Sequence, residues 1–194
     1  MKKYLTIFLT LALSSLSLSL HAQEGIDEIK KWYGEVESNK ALKPTTYSLG
    51  EDGEDMELKR FLDVKGNVVK VELSATGAHG SLSDVYYYKE GLLFFVLRTE
   101  FGWKFSDKQD KEGNPKTIDS ALQSRVYLNR SNVLKVLEKR VSTEDADAIV
   151  AMLAKAQNKE AKADESHTWI MTLAYAAQFV SSKRELATLS QLGM

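Results

Sequence analysis

The chain has 194 residues, with 26 lysines and arginines against 27 aspartates and glutamates, and no cysteine. A near-balanced charge excludes a general nucleic-acid binder, which needs an electropositive surface to neutralise phosphates. The missing cysteines exclude disulfides, thiolate-held zinc and a lipid-modified cysteine anchor.

The chain opens with Lys2 and Lys3, continues without a charge over residues 4–20, and passes through His21-Ala22-Gln23 to Glu24. That order predicts a signal peptide over residues 1–22, cleaved after Ala22, and hence export. A retained anchor is the weaker reading. The apolar run falls short of the ~20 residues a span prefers, and Ser14, Ser15, Ser17 and Ser19 dilute it. Removing residues 1–22 takes away two lysines and no acid, leaving 24 basic and 27 acidic residues, a net charge of −3. Residues 23–194 are then expected to form one domain, large enough to bury a core without covalent staples.

Ile26, Ile29, Tyr33 and Val36 recur at helical spacing, which predicts an amphipathic helix over 26–38 that closes before Pro44. From about Met56 the period becomes two. A two-residue Gly66-Asn67 turn would put Leu62, Val64, Val69 and Val71 on one face and Asp63 opposite Lys70. A second hairpin turns at Glu90-Gly91, pairing Tyr88 with Leu93 and Tyr86 with Phe95. In that register Tyr86, Tyr88, Phe95, Phe101, Trp103 and Phe105 share one aromatic face, and Gly102 marks a bulge. Residues 106–120 read as a polar loop. Residues 125–128 and 133–137 read as a further strand pair, although the second could instead open a helix.

At Ser142 the period returns to that of a helix. Ser142 as N-cap with Asp145 reaching back would start an Ala-rich helix over 146–163. A break at 164–167 precedes a second, nearly apolar helix over 169–180. The whole is an α+β fold: an antiparallel β-meander of about five to six strands over 56–137, an N-terminal helix, and Ala-rich C-terminal helices over 143–190 packed on the sheet.

Few residue sets point to chemistry. His79 with Ser81 or Ser83, beside Asp84 in a glycine-bracketed loop, could serve a small hydrolase, but the same residues make an ordinary strand connection. No catalytic residue is therefore assigned. Glu51, Asp52, Glu54 and Asp55 offer oxygens for calcium, yet Ser48 and Gly50 stand where an EF-hand loop needs its first and third ligands. No metal and no cofactor are expected. Asn129-Arg130-Ser131 matches a glycosylation acceptor. The aromatic face remains, with Tyr86, Tyr88, Phe95, Phe101 and Trp103 as candidate ligand-binding residues. It is either core beneath the C-terminal helix or an open groove for an apolar small molecule or a protein partner.

Trp32-Tyr33-Gly34-Glu35-Val36 in the leading helix and the hairpin through Tyr86-Tyr87-Tyr88-Lys89-Glu90-Gly91-Leu92-Leu93-Phe94 resemble exported bacterial proteins of unknown function that repeat a tyrosine-rich strand, a glycine turn and an apolar strand. The resemblance covers residues 26–137 and implies a periplasmic or secreted bacterial protein. It carries no catalytic residue. The sequence reading is an exported, non-enzymatic binding or interaction protein. Its alternatives are a carrier of a lipid or other hydrophobic small molecule, and the His79 hydrolase.

Overall fold

The computed structural model describes residues 25–51, 54–130 and 132–192, so the expected signal peptide and its expected cleavage site lie outside the described residues. Helix α1 (25–38) is followed by seven strands: β1 (Pro44–Glu51), β2 (Glu54–Leu62), β3 (Val68–Gly77), β4 (Gly80–Lys89), β5 (Leu92–Gln109), β6 (Pro115–Asn129) and β7 (Asn132–Thr143). A 3-10 turn (Ala146–Ala148) leads into α2 (Ile149–Lys155), then come the short strand β8 (Lys159–Ala161), α3 (Glu165–Ala177) and α4 (Lys183–Ser190). The eight strands form one antiparallel sheet in the order β1 to β8, each paired with its neighbour in sequence. The fold is α+β with a leading helix and a meander, and the sheet exceeds the five to six strands expected.

Both faces of the sheet are apolar and both carry helices. On one face Leu58, Leu73, Tyr86, Tyr88, Val96 and Val126 pack against Leu173, Ala177 and Leu186 of α3 and α4. Two hydrogen bonds fasten this cover. Tyr88 Oη donates to the Ala174 carbonyl at 2.5 Å, and Arg60 Nη1 to the Val180 carbonyl at 2.8 Å. On the other face Ile26 and Ile29 of α1 bury Tyr87, Phe94, Phe95 and Tyr127. Further along that face Ile149 and Leu153 of α2 pack on Ala121, with Phe101 and Val141 beside them. Among the described residues no helix is long and apolar enough to cross a membrane.

Several local expectations change. The first hairpin turns over residues 63–67. Asp63 accepts hydrogen bonds from the amides of Lys65 and Asn67 and from the Asn67 side chain, so Leu62 pairs with Val68 and Phe61 with Lys70. Val64 therefore leaves the apolar face and stands fully exposed in the turn. In the second hairpin Glu90 and Gly91 both take positive φ, as a tight two-residue turn requires, and Tyr88 pairs with Leu93 as expected. The register then slips by one residue, pairing Tyr87 with Phe95 and Tyr86 with Val96. That bulge turns both Phe94 and Phe95 toward α1. Gly102, expected to be the bulge, sits in regular register between Gly80 and Ser120.

Residues 106–120 are mostly strand, and only 110–114 turn, with Asp110 accepting from Glu112, Asn114 and the Asn114 side chain as Asp63 does. Residues 133–137 belong to a strand. Ser142 also lies in a strand, opposite Ser120. Asp145 caps the 3-10 turn, and α2 ends at Lys155 because β8 leaves to pair with Val136–Glu138 at the edge of β7.

Candidate functional site

The bulge divides the aromatic residues singled out in the sequence. Tyr86 and Tyr88 are buried beneath α3, at 0% and 1% exposure. Phe95, Phe101 and Trp103 belong to the opposite face, where Leu97 and Thr99 separate Phe95 from the other two. The structure thus does not bring the five together.

The buried side of β4 to β7 carries a polar row that hydropathy patterning did not suggest. Asp84, Arg98, Ser124 and Glu138 lie directly opposite one another across four strands. Asp84, fully buried, accepts from Arg98 Nε at 2.7 Å, Arg98 Nη2 at 2.5 Å and Tyr86 Oη at 2.5 Å. Burial, with the Asp84 carboxylate beside it, holds the Tyr86 phenol well above its usual range. Trp169 of α3 stacks 4.7 Å from the Arg98 guanidinium. At the other end of the row Ser124 donates to Glu138 at 3.4 Å, and His167 of α3 stands between Glu138 at 3.7 Å and Asp164 at 2.7 Å. Asp84, Arg98 and Ser124 are closed from solvent, Glu138 is partly exposed, and the contacts of the row hold α3 on the sheet.

His79 is not drawn into a catalytic set. It sits in the β3–β4 turn, with its ring 5.0 Å from that of Trp103. Asp84, its expected acid, belongs to the opposite face and is bound to Arg98. No described hydrogen bond joins His79 to Ser81 or Ser83. Among the described residues no group of three or more His, Asp or Glu could hold a metal ion. Ser131 of the glycosylation motif, and Asp52 of the acidic turn, lie outside the described residues.

The α1 face carries several recesses. Beside α2 a cleft of about 290 Å³ is lined by Phe101, Trp103, Asp119, Ser81 and Ile149, with Phe105 packed edge-on against Trp103 at 5.3 Å. Beside α1 a groove of about 220 Å³ is floored by Phe95, Leu97 and Tyr127, with Ile29, Lys30 and Tyr33 on one wall and Arg125 at its end. The Tyr33 ring leans on Tyr87 and Phe95, at 5.1 and 5.7 Å, which fixes that wall.

The electrostatics of the groove are one-sided. Arg125 Nη1, at the end of the groove, donates to Asn158 Oδ1 at 2.6 Å; Lys139, on β7 beyond the groove lining, donates through Nζ to the Leu153 carbonyl in the last turn of α2 at 3.1 Å. Both partners are neutral, and neither cation has a carboxylate within ion-pair distance among the described residues. Burial first, then the Arg125 charge, lowers the Lys139 pKa. Between them Gln123 Oε1 is shielded from solvent and has no hydrogen-bond partner. Lys30, on the wall, is paired with Asp27 at 2.9 Å. The arrangement offers an aromatic floor that ends on positive charge. Sequence reasoning found Phe95 but missed Arg125, because nothing in its spacing reveals that β5 and β6 set it beside Leu97 and α1.

Compared with protein-family models, with curated proteins and with solved structures, the chain gives no match.

Proposed function

We propose that this is an exported, non-enzymatic binding protein that holds a small apolar anion, such as an aromatic or short-chain carboxylate, in the groove beside α1. The observation that carries the reading is the pairing of an aromatic floor with Arg125, a cation at the end of the groove that lacks a carboxylate partner. An apolar body would bury against Phe95, Leu97 and Tyr127, while its carboxylate would meet the Arg125 fork, which is suited to planar anions. A groove of about 220 Å³ suits one ring or a short acyl chain rather than a long lipid. Export rests on the N-terminal pattern of two lysines, an uncharged Leu-rich run and Ala22 before Glu24.

Calorimetric titration with benzoate and with benzyl alcohol tests the reading. Benzoate is expected to bind about tenfold more tightly than the neutral alcohol, and Arg125→Gln to remove that preference, a difference of about 1.4 kcal/mol. Trp103→Ala, outside the groove, should leave both affinities unchanged. Equal binding of acid and alcohol, or no binding of either, overturns the proposal. Native mass spectrometry of protein purified gently from its own compartment adds an independent readout. A discrete extra mass that Arg125→Gln abolishes supports a resident anion.

A further inference from the structure

The meander leaves two edges, and they are treated differently. At one end β8 is three residues long and includes Lys159 and Glu160, features that blunt an edge. At the other end β1 runs for eight residues, Pro-Thr-Thr-Tyr-Ser-Leu-Gly-Glu, with no charge from Pro44 to Gly50. Its inner side pairs with β2 along its whole length, and no described strand pairs with its outer side. In an antiparallel edge strand every second residue directs its N–H and C=O outward, so β1 presents a row of backbone donors and acceptors. Thr46, Ser48 and Gly50 are exposed, and Tyr47 and Leu49 are half-buried at the margin of the core that α4 covers.

We infer that β1 is an interface at which two copies of this chain pair antiparallel about a two-fold axis normal to the sheet, joining two eight-stranded sheets into one. Charge selects the second copy as the occupant and fixes the direction. Lys40 and Lys43 precede the strand in sequence, Glu51 ends it, and Glu54 and Asp55 open β2 beside that end. Antiparallel pairing sets the acidic end of each copy beside the basic end of the other, whereas parallel pairing would set like charges together. A two-fold normal to the sheet also keeps the faces continuous, so Tyr47 and Leu49 of both copies extend one apolar margin. Residues that face each other must then share a side of the sheet. This centres the axis on Tyr47 or Ser48, with residue 48 opposite residue 46 or 48 of the second copy.

The test is sedimentation velocity of the full protein from about 1 to about 100 μM, where a self-associating chain shows a concentration-dependent mass. A dimer is expected for the wild type. Ser48→Lys and Ser48→Glu, at an exposed position, should each weaken it about tenfold or more with the melting temperature of the monomer unchanged. An equimolar mixture of the two variants should recover the dimer, because opposite charges then face each other. A wild type that stays monomeric throughout overturns the inference, the result expected if β1 instead receives an extended segment of a different protein. So does a dimer indifferent to both substitutions, or variants that remain monomeric when mixed.

Discussion

Asp84 is fully buried, and its carboxylate accepts from both the Arg98 fork and the Tyr86 hydroxyl. Desolvating both ions offsets much of their attraction, so the pair's worth appears mainly when one partner is lost. Asp84→Ala leaves Arg98, buried at 4% exposure, with only the more distant and partly exposed Glu100 at 3.5 Å, and should cost about 3 kcal/mol in denaturant unfolding. Asp84→Leu combined with Arg98→Met should recover much of that loss, since an apolar pair carries no desolvation penalty, less the cost of the buried Tyr86 hydroxyl left without its acceptor. A double variant as unstable as Asp84→Ala would mean that the row contributes through packing or through Trp169 rather than through charge. In the sequence Asp84 follows Ser83 in a polar stretch and reads as a turn residue. Only the register that sets Asp84 opposite Arg98 identifies it as part of an ion pair.

At the scale of elements, ends and turns follow local chemistry wherever the partners are close in sequence. The two wide hairpin turns, residues 63–67 and 110–114, are built alike. An aspartate collects two backbone amides and an asparagine side chain four residues on. The sequence reading placed the first turn three residues late because a Gly-Asn pair suggests a two-residue turn, and the Asp63 bonds outweigh it. Helix α3 starts in the same manner, with Asp164 accepting from Ser166 and His167. The Ser166 hydroxyl, then the His167 side chain, hold the Asp164 carboxyl at about 2. A depressed folded-state value stabilises α3 fully above the ordinary carboxylate range, and that stability is lost as pH falls through the folded value. The melting-temperature difference between wild type and Asp164→Asn should therefore be constant above about pH 5 and shrink from about pH 5 to 2. An invariant difference across that range would show that ionised Asp164 adds nothing to the cap.

For the whole molecule, the order β1 to β8 joins each strand to its sequence neighbour, and helices from both ends of the chain fold back over the two faces. Stability should therefore concentrate in β4 to β6, which are apolar on both sides and supply Tyr86, Tyr88, Val96 and Val126 at 1% exposure or less. In native-state hydrogen exchange their central amides should open only with global unfolding, while β8, held by three residue pairs, opens locally. Equal protection across β5 and β8 would show instead that the C-terminal region folds as one unit with the sheet.

The alternation of apolar residues from β2 to β7, the Glu90-Gly91 turn and the amphipathic spacing of α1 identify an antiparallel meander with a leading helix, because hairpins and helix faces are written in contacts a few residues apart. Strand ends that project past the helices were hidden. Residues 106–109 and 115–120 lack an apolar pattern because little of the core reaches them. β1 and β8 were missed because pairing with β2 and β7, rather than their own propensity, makes them strands. The candidate groove was legible at Phe95 alone. A one-residue bulge decided which aromatics share its face, and Arg125 reaches the groove only because β6 pairs with β5 and sets it opposite Leu97. Periodicity determines which residues seek the interior, but register and long-range packing decide which of them meet, and that meeting makes the site.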